Sequence, residues 1–167
     1  MDIFRAASTL LKIAIIAFAL GLLLFIIGFA TNSWKIGFNL YPFGYGLWNY
    51  FRCDRGCVNY PISQPNDFHS AIQAMECLGL IGFGLALLIL LLYLCADSCR
   101  RRHILQVTTA LAFAGILFAC IGFALFGSND MHNIGRSQDV GWSMGIAIAG
   151  TVIYAIGGIM LIVQLVR

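Results

Sequence analysis

GLWNYFRCDRGC, residues 46–57, is preceded by Trp34 and lies between the first two of four long apolar runs. Those runs cover roughly 11–31, 72–96, 104–127 and 141–166, and about 20 apolar residues suffice for an α-helix to cross a hydrocarbon core. Lipid offers no partner to open backbone N–H and C=O groups, so each run is read as a helix. Residues 46–57 interrupt this hydrocarbon with aromatic residues, β-formers and two cysteines. Here the chain leaves the membrane and has reason to be ordered.

Composition sets the same class. The chain has 167 residues, of which 60% are hydrophobic and 10% charged, and its mean hydropathy is +0.89. Soluble domains carry roughly a quarter charged residues, so this chain cannot cover a water-facing surface. A formal charge of +3 is too small to suggest nucleic acid. The first run is not expected to be a signal peptide, because its apolar core is too long and Asn32-Ser33-Trp34 is a poor cleavage site.

Orientation is read from the basic residues near the run ends. Arg5 and Lys12 precede the first helix, Arg100, Arg101 and Arg102 fill the turn between the second and third, and Arg167 ends the chain. On the other side Lys35, Arg52, Arg55 and Arg136 are offset by Asp54, Asp67, Asp130 and Asp139. Both termini and the arginine triplet are therefore expected in the cytoplasm. A long first loop, 32–69, and a shorter polar second loop, 128–140, are expected outside.

Within the first outer loop, Trp34–Asn39, Tyr45–Cys53 and Cys57–Ile62 read as strands bounded by Gly, Pro and Asn. Asp54-Arg55-Gly56 suits a three-residue hairpin loop with Gly56 in the left-handed conformation. Cys53 and Cys57 then face each other across the hairpin mouth within disulfide range, in a compartment that permits oxidation. Two free thiols are the alternative. A metal site is disfavoured, because no second pair of ligands lies nearby. The fold class is thus all-α membrane: a four-helix transmembrane bundle, in one domain over 1–167, with a small extracellular antiparallel β-sheet from the first loop.

Trp34, Gly46-Leu47-Trp48, Cys53 and Cys57, set between the first two of four helices, resemble the claudin superfamily. That superfamily includes claudins, epithelial membrane and peripheral myelin proteins, and the γ-type auxiliary subunits of calcium channels and AMPA receptors. Ser70-Ala71-Ile72-Gln73-Ala74 is similar to the small, Gln-containing helix entry of the same proteins. The resemblance implies a left-handed bundle capped by a sheet. In it, Trp34, Gly46, Leu47 and Trp48 pack the sheet onto the helix ends, and a Cys53–Cys57 bond pins the central hairpin. These are structural roles. The chain departs from claudins in three ways: a shorter interval between the cysteines, an ending at Leu165-Val166-Arg167 without a Tyr-Val scaffold-docking tail, and a second loop without an aromatic tip. Each departure weakens a tight-junction reading more than a superfamily reading, and the tight cysteine spacing and absent tail suit a recognition surface more than a paracellular pore.

Residues with chemistry to offer are few. Glu76 falls about a turn inside the second helix, where a carboxylate is costly unless paired, protonated or near the interface. His69, on the same face, is its candidate partner. Cys95 and Cys99 sit at the expected cytoplasmic end of the second helix and are candidates for palmitoylation. Extending this pair to His103 as a metal site is weak, and the arginine triplet has anionic lipid within its reach. Gly141, Gly145 and Ala149 form a small-residue ridge for bundle packing or a partner helix, as do Ala17 with Gly21 and Gly115 with Ala119. There is no Ser/His/Asp set, phosphate loop or paired carboxylates, and no Asn-x-Ser/Thr sequon. An enzyme, a cofactor and a small-molecule substrate are therefore not expected. The expected function is a plasma-membrane tetraspan that organises membrane or cell–cell contacts through its outer sheet. The alternative is an auxiliary subunit that clasps an ion channel or receptor. Expected partners are the lipid bilayer and a membrane protein, whether a second copy, a protein of a neighbouring cell or a channel.

Overall fold

The computed structural model describes residues 9–39, 41–63, 65–95, 101–128 and 139–166. Four helices, α1 (Thr9–Ala30), α2 (Asp67–Cys95), α3 (Arg102–Ser128) and α4 (Trp142–Val166), are each long and apolar enough to cross a membrane. Their outer faces carry exposed aliphatic side chains, among them Ile16, Leu88, Leu117 and Val152. Monomeric soluble proteins rarely expose apolar surface on this scale. The chain is a multi-pass membrane protein.

The helices pair by close backbone approach. α1 packs chiefly against α4, and α2 against α3, with lesser α3–α4 and α1–α2 contacts closing the bundle. A Cβ at Gly21 would stand 2.7 Å from the Gly150 carbonyl oxygen, and one at Gly82 would stand 2.9 Å from the Gly115 Cα. Small residues are the means by which helices associate where lipid is as apolar as leucine. Buried aromatic rings fill the interior. Phe18 stacks on Tyr154 at 4.0 Å, Tyr154 on Phe83 at 4.2 Å, and Phe25 meets Phe83 edge-on at 5.0 Å. The Tyr154 hydroxyl donates to the Phe83 carbonyl at 2.6 Å, so its polar tip is satisfied inside the bundle.

Polar residues of the helices mostly bond their own turns. Thr108, Thr109 and Thr151 each donate to the carbonyl four residues earlier. At the end of the bundle remote from the sheet, the Arg102 guanidinium donates to the Leu165 carbonyl at 2.6 Å. This satisfies an orphan acceptor of the α4 terminus.

The sheet has five antiparallel strands in the order β4-β3-β2-β1-β5, with β1 Lys35–Asn39, β2 Tyr41–Tyr45, β3 Asn49–Cys53, β4 Cys57–Pro61 and β5 Asp139–Val140. Two expectations change here. Tyr45–Cys53 is not one strand, because Gly46-Leu47-Trp48 forms the turn between β2 and β3. Tyr41–Tyr45 is a strand despite Pro42 and Gly44. The β2–β3 ladder covers only Phe43–Tyr45, so Pro42 lies beyond it and costs no bond on that side. Gly44 lies opposite Phe51 and Gly37 opposite Phe43. In each pair the phenyl ring lies over the glycine where a Cβ would be, restoring the packing that glycine lacks.

Candidate functional site

The motif residues lie where the sheet meets the helix ends, and the geometry shows what each contributes. Trp34 is fully buried. Its indole Nε1–H donates to the Gly28 carbonyl at 2.7 Å, one of the acceptors left open at the α1 C-terminus. Its ring packs on Phe126 at 5.0 Å and Phe123 at 5.7 Å, both on α3. Its backbone carbonyl accepts from Gly141 N–H at 2.8 Å, just before α4. One residue thereby joins three helices.

Gly46 approaches the α1 exit so closely that a Cβ there would stand 2.6 Å from the Asn32 Cα. Leu47 is fully buried, and its carbonyl accepts two hydrogen bonds from α2: Gln73 Nε2 at 2.7 Å and His69 Nε2 at 2.9 Å. A carbonyl can only accept, so His69 carries its proton on Nε2. Trp48 packs edge-on against Phe29 of α1 at 5.3 Å. Ser33 and Ser143 complete the clasp, Ser33 N–H donating to Ser143 Oγ at 3.1 Å and Ser143 N–H to the Ser33 carbonyl at 3.2 Å. Trp34, Gly46, Leu47 and Trp48 thus fasten the sheet to all four helices.

α2 begins at Asp67, earlier than hydropathy alone indicates. Asn66 caps it, with Oδ1 accepting from His69 N–H at 2.8 Å, and Asp67 in the first turn suits the helix dipole. This cap sets the register that aims His69 and Gln73 at Leu47. His69 is therefore committed to the motif turn. It stands seven residues from Glu76, about 10 Å along the helix axis, and the expected His69–Glu76 pair does not form.

Cys53 and Cys57 form a disulfide between directly opposed residues of β3 and β4. Gly56 lies outside the left-handed region, contrary to expectation; the tip closes instead through an Asp54 N–H bond to the Gly56 carbonyl at 3.3 Å. Beside the hairpin a shallow cleft of about 380 Å³ is lined by Arg52, Asp54, Arg55, Gly56, Val58 and Tyr60.

One face of the sheet carries a ladder that the sequence reading did not resolve. Tyr45, Tyr50 and Tyr60 are directly opposed across β2, β3 and β4. Their rings stack at 5.4 and 5.2 Å, with Arg52 and Val58 on the same face. Burial pushes the Tyr45 phenol above its usual range, and the neighbouring Tyr50 adds to the shift. Every residue of β4 is exposed. Alternation of Tyr50 with Phe51 and of Tyr60 with Asn59 was the available signal, but it reveals the ladder only once the register is known.

The remaining candidates are dispersed. Glu76 is fully buried and lies against Gly122 of α3, where a Cβ would overlap its carboxyl group. Cys95 is an exposed free thiol, and Cys99 lies outside the described residues. His103 is exposed and faces Gln106, and no metal-holding group of His, Cys, Asp or Glu occurs among the described residues. Gly115 and Ala119 do pack, against α2, and Ala17 and Gly21 are buried. Gly145 and Ala149 do not pack in the bundle. Both are exposed on α4, and Gly145 has open space where a side chain would go. Gly141 is pressed against the Ser33 backbone at the sheet junction, so the three residues are not one packing ridge. The helix, sheet and disulfide arrangement fits a claudin-like tetraspan shape. No protein-family model matches the chain, and no curated protein matches it.

Proposed function

We propose that this chain is a non-enzymatic member of the claudin superfamily that organises membrane or cell–cell contacts through its sheet. In this reading it resides in the plasma membrane with both termini cytoplasmic and the sheet outside. The observation that carries the reading is the stacked face of Tyr45, Tyr50 and Tyr60 beside a wholly exposed β4. Tyrosine is enriched at protein interfaces because its ring buries large area while its hydroxyl stays wet. The motif clasp holds that face in a fixed pose above the bundle, and a preorganised surface loses less freedom on binding.

A second reading, an auxiliary subunit of an ion channel or receptor, is favoured by the exposed small-residue surface of Gly145 and Ala149 on α4. Small residues on a lipid-facing helix suit close approach by a partner helix. Expression in cells that lack junctions separates the two. A contact-organising protein concentrates where two expressing cells touch. An auxiliary subunit stays spread over the surface and co-purifies in mild detergent with one large channel, and Gly145→Leu then breaks that association.

A further inference from the structure

Among the described residues, Glu76 alone has buried side-chain oxygens without a hydrogen-bond partner. The residue is fully buried, and it sits in the seam between α2 and α3, both long enough to span the membrane. The hydroxyls of Thr108, Thr109, Thr151 and Tyr154 are all bonded. No described cation pairs with the carboxyl group. Gly122 presses directly on it, with no room even for a Cβ. The titratable groups near enough to feel its charge are thiols, half-exposed Cys77 on its own helix and exposed Cys120 on α3. His69, two turns towards the sheet, is occupied by Leu47, and Tyr154 of α4 is turned to Phe83.

An ionised carboxylate is not stable in such a place, because burying a charge without partners is far costlier than burying the neutral acid. We propose that Glu76 is a proton-holding site: a carboxyl group kept neutral in the α2–α3 seam, whose ionisation unlatches that seam. The ligand is a single proton on a carboxyl oxygen, released to water when the site opens. Direction follows from the packing. Gly122 blocks movement into α3, so an ionised side chain reaches water by parting the seam towards the sheet. Gln73 and His69 stand along that path on α2, and both hold the Leu47 carbonyl. Loss of the proton therefore strains the motif clasp, and the sheet's attachment becomes sensitive to alkaline pH.

Infrared spectroscopy of the full chain in lipid bilayers tests this directly. At neutral pH the wild type is expected to show the carbonyl stretch of a protonated carboxylic acid without hydrogen bonds. The band is lost in Glu76→Gln, the neutral isostere, and in Glu76→Met, which guards against misfolding of either variant. At alkaline pH the wild-type band gives way to carboxylate bands. Amides around Leu47 then exchange faster than in Glu76→Gln at the same pH, while the two proteins match at neutral pH. Carboxylate bands at neutral pH that disappear in Glu76→Gln would overturn the proposal, since they mean an ionised group held by water or a cation. Equal exchange at alkaline pH, with the acid band titrating, would overturn the latch.

Discussion

The Trp34 ring serves as filler and its N–H as a fastener. The N–H satisfies the Gly28 carbonyl at 2.7 Å, an acceptor that also receives the Thr31 hydroxyl at 3.3 Å. Trp34→Phe keeps an aromatic ring but removes the donor; the Thr31 hydroxyl has one proton and gives it chiefly to the Ile27 carbonyl at 2.7 Å, so the cost is expected to be about 1–3 kcal/mol, that of leaving a buried acceptor short of a donor. Trp34→Ala empties a site packed by Phe123 and Phe126 and is expected to cost about 3–5 kcal/mol. Unfolding in detergent, compared across the two variants, measures both. Tyr45 supplies a pH prediction. Its phenol is raised above 10.0 in the folded protein, by burial first and by Tyr50 second. The folded state therefore holds its proton where the unfolded state has lost it. Stability from this group is intact below pH 10.0 and falls as pH rises through the folded value. Absorbance titration should show a late-ionising phenol that Tyr45→Phe removes; a profile unchanged by that substitution would refute the assignment.

At the scale of elements, close packing and mere smallness separate. A Cβ at Gly21 would press on the α4 backbone, whereas one at Gly145 would meet no neighbouring element within 4 Å. Gly21→Val is expected to destabilise the isolated protein by about 1–3 kcal/mol through overpacking, while Gly145→Leu leaves its unfolding midpoint unchanged. Equal effects of the two would contradict the α1–α4 arrangement. The same contrast marks the limit of what sequence conveys. Helix spans are legible because lipid demands a long apolar run: the expected 104–127 and 141–166 match Arg102–Ser128 and Trp142–Val166. α2 starts earlier than expected because Asp67, His69 and Ser70 lower the hydropathy of its first turn, though the Asn66 cap was there to be read. β2 is missed because Pro42 and Gly44 signal a break, and only the cross-strand rings of Phe43 and Phe51 show why they are tolerated. Nor does spacing reveal which small residues face a neighbour, since Gly145 and Gly150 differ by little more than one turn.

Across the whole molecule, the first-loop motif acts as a joint. Trp34, Gly46, Leu47 and Trp48 fix the sheet to α1, α2, α3 and α4, the disulfide closes the hairpin, and the tyrosine ladder runs from half-buried Tyr45 to the exposed strand β4. The existence of the sheet and its disulfide was legible in residues 34–57. The tyrosine ladder was not, because it depends on register and on Tyr60, which follows the disulfide. If that face is the recognition surface, its removal should abolish contact formation without unfolding the protein. The direct measurement is the accumulation of the wild type and of the Tyr50→Ala/Tyr60→Ala double variant at contacts between expressing cells that lack junctions of their own. Surface expression and tryptophan fluorescence serve to confirm folding. The wild type is predicted to concentrate at those contacts and the folded double variant to spread evenly over the surface. A folded double variant that still concentrates at contacts, or a wild type that never does, would contradict the sheet-mediated account.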